Sequence, residues 1–264
     1  MVSSDSASTY SLGISYPSII DSLTNAQIVG SRGGRTREII DFSLVLRNPT
    51  RCIVDRDGFS RRFMDAEIAM LLAGVYDGDL LSAITPQAAE LTTPLTAYGP
   101  RVRHQIPLII NELRERPESR RAVIYVGRHD DLKSIGDATA GEMPCTLTWQ
   151  FLIRDDSLHM IVNMRSWDAV WGLSYDVPCF VAVQLAIAKA LGVLVGDYRH
   201  HAGSFHLYER HWNVKARETN DANLDLDWLC DTWEETRTAA TAFVEIYRVG
   251  AIREAVDKLA SGED

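Results

Sequence analysis

The stretch PCTLTWQFLIRDDSLHMIVNMRSWDAVWGLSYD, residues 144–176, decides the fold of this chain. Within it, Thr146–Arg154 and Leu158–Arg165 are short segments rich in apolar residues, which predicts two strands. The Asp-Asp-Ser sequence between them is typical of a tight turn. We therefore expect a β-hairpin here, followed by a chain reversal into a helix.

The flanking sequence adds further helices and strands around this hairpin. Val177–Leu191 is almost entirely apolar and predicts a buried central helix, and Val195–Phe205 predicts a returning strand. Other helices are predicted at Pro17–Gln27, Arg61–Gly74, Gln105–Arg114 and Leu226–Ala260, strands at Ile39–Leu46, Arg51–Asp55 and Ala122–Val126, and a Gly/Arg loop at Ser31–Glu38. With no internal repeat or break in composition, we expect one α+β domain over residues 1–264, with residues 1–12 frayed.

Composition limits the classes of partner. The 264 residues carry a net charge of -9, which argues against binding to nucleic acid or to an acidic membrane surface. The four cysteines lie far apart without a CxxC spacing, the N-terminus lacks a leader pattern, and no run of 18 apolar residues occurs. We expect a cytoplasmic protein with reduced thiols, no membrane span and no bound metal.

Cys145 is the first candidate for chemistry. Pro144 precedes it and a predicted strand follows it, so it lies at the edge of an element. A free cysteine is most often a small buried apolar residue, and a nucleophilic role requires positive charge nearby. Zinc deaminases also contain a Pro-Cys pair, but their signature requires a second cysteine three positions later, where this sequence has Thr148. A zinc deaminase site would therefore lack one of its ligands.

Glu67 is the second candidate, because its neighbours at helical spacing are all apolar. Burial of a carboxyl group raises its pKa and suits it to proton transfer near neutral pH. The alternative is a glutamate that turns outward or pairs with an arginine. The neighbouring apolar residues are Phe63, Met64, Met70 and Leu71.

Arginines supply the third signal, because guanidinium groups bind phosphate oxygens in a bidentate manner. Singly, each of them is more often a solvated surface charge. Arg165 shares a predicted strand face with polar residues, and we expect this face to line a pocket. The candidates are Arg32, Arg120, Arg121 and Arg165 with the adjacent Ser166, and the polar face adds His159 and Asn163, with Ile161 between them.

Together with VGDYRHHAGSFHLYERH at residues 195–211, the opening stretch resembles the most diagnostic region of the thymidylate synthase superfamily. The family pattern contains Pro-Cys, a strand with Gln-Phe, Arg-Ser-x-Asp, a Leu-Gly-Leu/Val-Pro-Phe-Asn turn and Gly-Asp-x-His-x-Tyr-x-x-His. Upstream, ERPESRRAVI (115–124), TAYGPRVR (96–103) and AEIAMLLAG (66–74) resemble its other segments. The resemblance runs from about Arg32 to His211.

The resemblance implies a large mixed β-sheet packed against helices, with one sheet face forming a homodimer interface. It also implies a pyrimidine nucleoside monophosphate as substrate and 5,10-methylenetetrahydrofolate as cosubstrate. Cys145 would be the thiolate that adds to C6 of the base, and Glu67 would manage protons and water. The other implied contacts are Arg32, Arg165 and Ser166 with the phosphate, Arg120 and Arg121 with the phosphate of the neighbouring subunit's site, His206 and Tyr208 with the sugar, and Asp168 with the folate.

One departure from the family pattern concerns the base. The family turn ends in an asparagine that pairs with uracil, whereas GLSYD ends in Asp176. An amide donates to O4 and accepts from N3–H, but cytosine has an amino group at C4 and a lone pair at N3. With Asp at this position, the sequence resembles the CMP and dCMP hydroxymethylase branches of the family, and this resemblance implies a substrate with a cytosine base. The alternative is that Asp176 caps a helix that begins near Val177.

Three further departures concern the cosubstrate and the sugar motif. All six tryptophans lie at position 149 or beyond, so the region Asp77–Thr93 lacks those that flank the folate in the family. The chain ends in KLASGED rather than in an apolar residue, and Ser204 stands where the family usually has Asp. The resemblance implies that the one-carbon unit is first attached to C5 of the base as a methylene group. The first two changes imply that water adds to this group, whereas the synthases of the family reduce it to a methyl group.

We therefore predict a hydroxymethylase that forms 5-hydroxymethyl-CMP or 5-hydroxymethyl-dCMP and releases tetrahydrofolate. The resemblance is closest to CMP hydroxymethylases of nucleoside antibiotic pathways, with the phage dCMP enzymes second. One alternative is a thymidylate synthase that methylates dUMP. Another is a nucleotide-binding relative without catalysis, in which Cys145 and Glu67 would have no role.

Overall fold

A computed structural model of the chain describes residues 6–85, 93–135 and 143–261, with side chains described as far as residue 251. Within these residues, eight strands form one mixed sheet with a central path β1-β3-β9-β7-β6-β5. Strand β2 is added beside β3, and β8 is added beside β9. The sheet strands are β1 (Ser6–Thr9), β2 (Gln27–Ser31), β3 (Gly34–Leu46), β5 (Val123–Tyr125), β6 (Thr146–Arg154), β7 (Ser157–Met164), β8 (Trp167–Asp168) and β9 (Leu194–Tyr208).

Helices pack against this sheet, which confirms the predicted α+β class. The short strands β4 (Asp55–Arg56) and β10 (Ala216–Arg217) pair separately from the main sheet. Buried residues of the sheet and helices form a continuous core. The helices are α1 (Leu12–Thr24), α2 (Arg61–Ala73), α3 (Gly78–Ile84), α4 (Tyr98–Val102), α5 (Ile106–Glu115), α6 (Trp171–Leu191) and α7 (Trp233–Ser261).

The predicted central hairpin is present. Strands β6 and β7 pair antiparallel, and Asp155 and Asp156 take positive φ angles of 49° and 54° in the turn between them. Asp tolerates this left-handed conformation better than most residues, which explains why the Asp-Asp pair closes the hairpin. Strand β7 then pairs parallel with β9, and α6 forms the connection between them.

Helix α2 has a clear start and end signal in the sequence. The Ser60 hydroxyl accepts a hydrogen bond from the amide of Phe63 at 3.2 Å, and Gly74 ends the helix at φ 73°. These are the N-cap and the left-handed C-cap that the two residue types favour. The helix carrying Glu67 is therefore fixed at both ends, as predicted for Arg61–Gly74.

The predictions for the N-terminal part need correction. Residues 1–5 lie outside the described part of the chain, but Ser6–Thr9 is not frayed, because it pairs parallel with β3. The expected loop Ser31–Glu38 is largely a β-hairpin, in which Gly34 at φ 111° follows the turn. Residues 51–54 of the predicted strand Arg51–Asp55 form a loop, in which the amide of Ile53 bonds to the carbonyl of Ala222, and the strand β4 begins only at Asp55.

Helix α6 begins at Trp171, six residues before the predicted start at Val177. The carboxylate of Asp168 accepts hydrogen bonds from the amides of Val170 and Trp171, which satisfies donors at the start of the helix. Pro178 inside the helix is typical of a first turn, and this explains the misplaced boundary. Asp176 therefore lies inside the helix and does not cap it.

Helix α6 is also the most apolar helix. Among the described residues it is the one helix long and apolar enough to cross a bilayer, yet 78% of its apolar window is buried in the protein. Burial on this scale is what a core helix of a globular protein shows. Helix α6 thus packs against one face of the sheet, where it contacts β7, β8 and β9.

Helix α7 begins at Trp233, later than the predicted Leu226, and packs against α2 and α3. Thr232 precedes it and accepts a hydrogen bond from the amide of Glu235. Residues buried at helical spacing face the rest of the molecule, and include Trp233, Thr236, Ala240 and Val244. The C-terminal segment therefore supports the helix that carries Glu67.

Candidate active site

A cavity of about 740 Å³ lies among α2, α4, α6 and the carboxyl ends of β7 and β9. Its volume is within the range of small-molecule binding sites. The structure brings most of the predicted site residues to its wall. These are Arg32, Glu67, Cys145, Arg165, Ser166, Asp168, Asp176, His206 and Tyr208.

Cys145 lies on the segment that leads into β6, as the Pro-Cys sequence predicted. Arg165, at the end of β7, holds this segment, because its guanidinium donates to the carbonyls of Met143 at 2.7 Å and Pro144 at 3.1 Å. The amide of Arg165 also donates to the carbonyl of Cys145 at 2.9 Å. The Arg165 guanidinium thus holds the two residues that precede the candidate nucleophile, and positive charge near a cysteine favours its thiolate.

Two buried carboxyl groups face the same cavity. Burial raises the pKa of Glu67 to about 8. Burial raises the pKa of Asp176 well above its usual range, and the nearby Glu67 and Asp168 carboxylates raise it further. The raised pKa favours the protonated form of Asp176, and a protonated carboxyl group offers both a donor and an acceptor.

Asp168 has a role that the sequence did not reveal. One of its oxygens, Oδ1, accepts from the amides of Val170 at 2.6 Å and Trp171 at 2.7 Å. This anchors the start of α6 to the edge strand β8, while the residue still lines the cavity. The predicted folate contact would thus come from a carboxylate whose orientation is fixed.

His206 and Tyr208 follow each other on one face of β9. Their rings lie edge to face with centroids 5.0 Å apart, and His206 is 6% exposed. Among the described residues, the buried Nδ1 atom of His206 has no hydrogen-bond partner. A Cβ atom on Gly33 would lie 2.9 Å from the Tyr208 ring, so glycine allows the hairpin turn to approach it. A buried imidazole nitrogen without a partner is consistent with a ligand contact.

Arg120 and Arg121 lie outside the cavity. Both are exposed, and the side chain of Arg121 pairs with Glu112 at 3.2 Å while remaining 75% exposed. They precede β5 at the edge of the sheet. Their predicted contribution to a neighbouring subunit's site stays a prediction.

The polar face of β7 does not line the cavity, contrary to expectation. His159 and Asn163 are half-buried on the face of β7 opposite its buried apolar residues, and Asn163 bonds to Thr148 on β6. Arg165 reaches the cavity because it follows the end of the strand and turns toward the carbonyls before Cys145. Strand alternation predicted that Arg165 would share a face with His159 and Asn163, but its side chain points to the cavity and theirs do not.

Three cavity residues were missed. Tyr98 is fully buried, and its burial and the nearby Asp176 raise its pKa well above the usual range. Arg210 lies 4.2 Å from the Tyr208 ring centroid. Burial raises the pKa of the Cys179 thiol well above its usual range, so this second cavity cysteine stays protonated. Tyr98 stands in the quoted segment TAYGPRVR, and this position could have revealed it.

The cavity wall retains aromatic surface despite the missing tryptophans. Tyr76 and Trp171 both line it, the latter from the first turn of α6. Of the region Asp77–Thr93, residues 86–92 lie outside the described part, as do the side chains of the terminal KLASGED. Ser204, which had no explanation from the sequence, donates a hydrogen bond to Glu38 on the neighbouring strand β3.

Comparison with known proteins agrees with this geometry. The family model described as "Thymidylate synthase" matches residues 78–225, which is more than half of the chain. The Methanocaldococcus jannaschii protein named "Putative thymidylate synthase" is 34% identical over 111 residues, which cover 42% of this chain and 50% of that protein. The match thus spans about half the length of this curated relative. From the matched family model, together with the fold, the chain belongs to the thymidylate synthase family.

Proposed function

We propose that the protein transfers a one-carbon unit from 5,10-methylenetetrahydrofolate to C5 of a cytidine monophosphate and adds water, giving the 5-hydroxymethyl nucleotide and tetrahydrofolate. The observation that carries this proposal is the position of Asp176, a carboxyl group whose pKa is raised by burial, on the wall of the cavity that also contains Cys145 and Glu67. A protonated carboxyl group can donate to N3 of cytosine and accept from its 4-amino group.

The phosphate end of the nucleotide would lie beside the cavity arginines. Arg32 comes from the β2–β3 turn and Arg165 from the end of β7, with Ser166 next to it. Guanidinium groups on two separate elements can hold one phosphate from two sides. His206 would use its unpartnered buried Nδ1 atom on a sugar hydroxyl, with Tyr208 beside it.

The cavity lining also supports a folate as the cosubstrate. Its wall includes apolar side chains of α2 and α3 and the rings of Tyr76 and Trp171, which suit a flat heterocycle. The Asp168 carboxylate would accept from a pterin N–H group. When bound, the folate supplies the one-carbon unit at the methylene oxidation level.

The chain's own residues account for the remaining chemistry. The Cys145 thiolate adds to C6 and makes C5 nucleophilic, and C5 then forms a bond to the one-carbon unit. Loss of the C5 proton and of tetrahydrofolate leaves a methylene group on C5. Water near Glu67 adds to this carbon, and the bond from Cys145 to C6 then breaks. The buried Glu67, with a pKa of about 8, can give and take protons near neutral pH.

The active form would be a homodimer with shared sites. The sheet face opposite α6 carries Tyr125, which is 62% exposed, and half-buried side chains of β6, β7 and β9. A second copy on this face would cover them and could bring its Arg120 and Arg121 to the phosphate. Symmetric pairing of one surface with itself is the usual arrangement in homodimers.

A product analysis tests the proposal. The enzyme is incubated with CMP or dCMP and methylenetetrahydrofolate, and release of tritium from C5 is measured alongside both folate products. We expect tritium release and tetrahydrofolate with a cytidine nucleotide. Absence of tritium release from both cytidine nucleotides would contradict the proposal, and a competition between CMP and dCMP would identify the preferred sugar.

Methylation of dUMP is the second candidate, because both the matched family model and the archaeal relative carry the name thymidylate synthase. This reaction oxidises the folate, so dihydrofolate would accumulate with dUMP. The absorbance change that accompanies formation of dihydrofolate separates methylation of dUMP from hydroxymethylation of a cytidine nucleotide in one experiment. Asp176, where the family pattern has an asparagine, argues against this candidate.

A further inference from the structure

Asp176 lies in the second turn of α6, and the side chains of the two residues before it, Ser174 and Tyr175, both make polar contacts with other elements. The Ser174 hydroxyl accepts from Nε of Arg56 at 2.8 Å. The Tyr175 hydroxyl accepts from the backbone amide of Ser60 at 2.9 Å. The family turn quoted above has Pro and Phe at these two positions, and neither side chain can make such bonds.

Arg56 is an unusual anchor, because its side chain is buried without an ion pair among the described residues. It is 5% exposed, and its Nη1 atom donates to the carbonyl of Asp57 at 2.9 Å. The rings of Tyr175, Trp171 and Phe59 lie 5.4, 5.6 and 5.9 Å from its guanidinium carbon. Removal of a charge from water is costly unless contacts replace the lost hydration. Here Ser174, the carbonyl of Asp57 and the three rings replace part of it, while the buried Nη2 atom has no hydrogen-bond partner among the described residues.

The same contacts connect the two buried acids. Ser60, whose amide bonds to Tyr175, is the N-cap of α2, the helix that carries Glu67. The Tyr175 ring also packs edge to face against Phe63, one helical turn before Glu67, with centroids 4.8 Å apart. Helices α2 and α6 are therefore joined at their N-terminal ends, next to the cavity.

We propose that Arg56, Ser174 and Tyr175 form a polar clamp that positions Asp176 for recognition of the base and fixes it relative to Glu67. This inference deepens the proposed function and rests on it. The three are positioning residues, since they act through Asp176. Base preference is thus set by the whole SYD turn together with Arg56, and the change at Asp176 alone is insufficient.

The test measures dissociation constants for CMP and UMP by calorimetry, which does not depend on turnover. Wild type is compared with Ser174→Ala, Tyr175→Phe and Arg56→Met. Thr236→Val is the matched control, because Thr236 is equally buried and hydrogen-bonded but lies on α7, away from the cavity lining. Thermal unfolding of every variant shows whether it is folded.

We expect the ratio of CMP to UMP affinity to fall about five- to tenfold in Ser174→Ala and Tyr175→Phe, and to stay unchanged in Thr236→Val. Arg56→Lys, which keeps the charge, should recover part of the loss seen in Arg56→Met. The double variant with Ser174→Ala and Arg56→Met should lose no more than the larger single effect, because both remove one bond.

The outcomes separate the two proposals. If wild type prefers UMP, the proposed cytidine substrate is wrong, while any shift of the ratio in the variants still supports the clamp. If wild type prefers CMP and folded Ser174→Ala and Tyr175→Phe proteins keep its ratio, the clamp is wrong and the proposed function stands. Should Arg56→Met fail to fold, the two hydroxyl deletions decide the question alone.

Discussion

Arg165 bonds to three consecutive carbonyls that end at Cys145: its guanidinium donates to those of Met143 and Pro144, and its amide to that of Cys145. The residue proposed to bind phosphate is thus also the residue that holds the nucleophile's segment. A phosphate that attracts this guanidinium would change its hold on the segment. With Arg165 in the proposed phosphate site, binding of the nucleotide and the position of the thiol would therefore be linked.

This link predicts that Arg165→Lys lowers kcat as well as raising KM. A lysine has a single ammonium group and cannot bridge two carbonyls and a phosphate, so the Cys145 segment loses an anchor. We expect kcat to fall at least about tenfold. Arg32→Lys is the matched comparison, since Arg32 lies on the β2–β3 turn and should affect mainly KM. Steady-state kinetics with the cytidine nucleotide would refute the link if Arg165→Lys changed KM alone.

Cys145→Ser should retain nucleotide binding and lose turnover. A serine hydroxyl stays protonated at neutral pH and is a much weaker nucleophile than a thiolate. Calorimetry with CMP and tritium release from C5 measure the two properties. The control is Cys179→Ser, because the Cys179 thiol is protonated and buried in the same cavity and has no step in the mechanism. Turnover near the wild-type rate in Cys145→Ser would exclude the covalent route.

Much of the fold follows from the sequence, because the hairpin around Asp155 and Asp156 and the helix after Ser60 carry strong local signals. The start of α6 could not be predicted in the same way. Its first amides are satisfied by Asp168, three residues before Trp171, and Pro178 is a false start signal inside the helix. Local bonds of this kind, from backbone amides to a nearby side chain, leave no periodic pattern of apolar residues.

Some residues of the candidate site could likewise be predicted from the sequence, and others could not. Most residues named from the resemblance meet in one cavity, whereas Arg120 and Arg121 lie outside it, and Arg56 and Tyr98 were not found from the sequence. In the sequence, a single buried arginine in a two-residue strand resembles any surface arginine. Its role depends on the rings of Trp171 and Tyr175, which lie far along the chain, as well as on the nearby Phe59. Side-chain direction also misled for Arg165, which lies just beyond the regular part of β7.

Asp176→Asn should reduce the preference for cytosine over uracil. The amide restores the donor and acceptor order that suits uracil and leaves the cytosine amino group facing a donor. Each unsatisfied group costs about 1–3 kcal/mol, so we expect a ten- to hundredfold change in the ratio of kcat/KM values. Since Asp176 lies inside α6, loss of a helix cap cannot explain such a change. An unchanged ratio would remove the basis for a cytidine substrate.

Glu67→Gln should stabilise the free protein at alkaline pH. The folded pKa of about 8 exceeds the usual value of 4.5, so the folded state retains a proton that the unfolded state loses. Stability is therefore full below about pH 4.5 and declines as pH rises toward 8, by about 1.4 kcal/mol for each unit between the two pKa values at most. Glutamine removes this decline, although it also removes the proton shuttle.

Thermal unfolding at pH 5, 6.5 and 8 measures this effect. The difference in Tm between Glu67→Gln and wild type should grow with pH. Glu118→Gln is the control, because Glu118 is exposed and its replacement should leave the pH dependence unchanged. A constant difference across the three pH values would contradict a buried, protonated Glu67.

Mixing two inactive variants tests the shared site. Arg121→Ala and Cys145→Ala chains would form heterodimers in which one of two sites contains both intact groups. With random exchange, about a quarter of the wild-type sites should be restored. Size-exclusion chromatography and native mass spectrometry confirm the exchange. Activity that stays at the level of the separate variants after exchange would place Arg121 outside the site.

Helix α7 follows the end of the family match at residue 225, yet it packs on α2 and α3, and its Arg248 bonds to Asp77, the N-cap of α3. This helix, which lies outside the matched region, therefore packs against the helix carrying Glu67 and bonds to the residue that begins α3 next to the cavity. A chimera joined to a relative at the edge of the matched region would separate these partners. A segment exchanged between members of the family should therefore include α2, α3 and α7 together, because these three helices pack on one another.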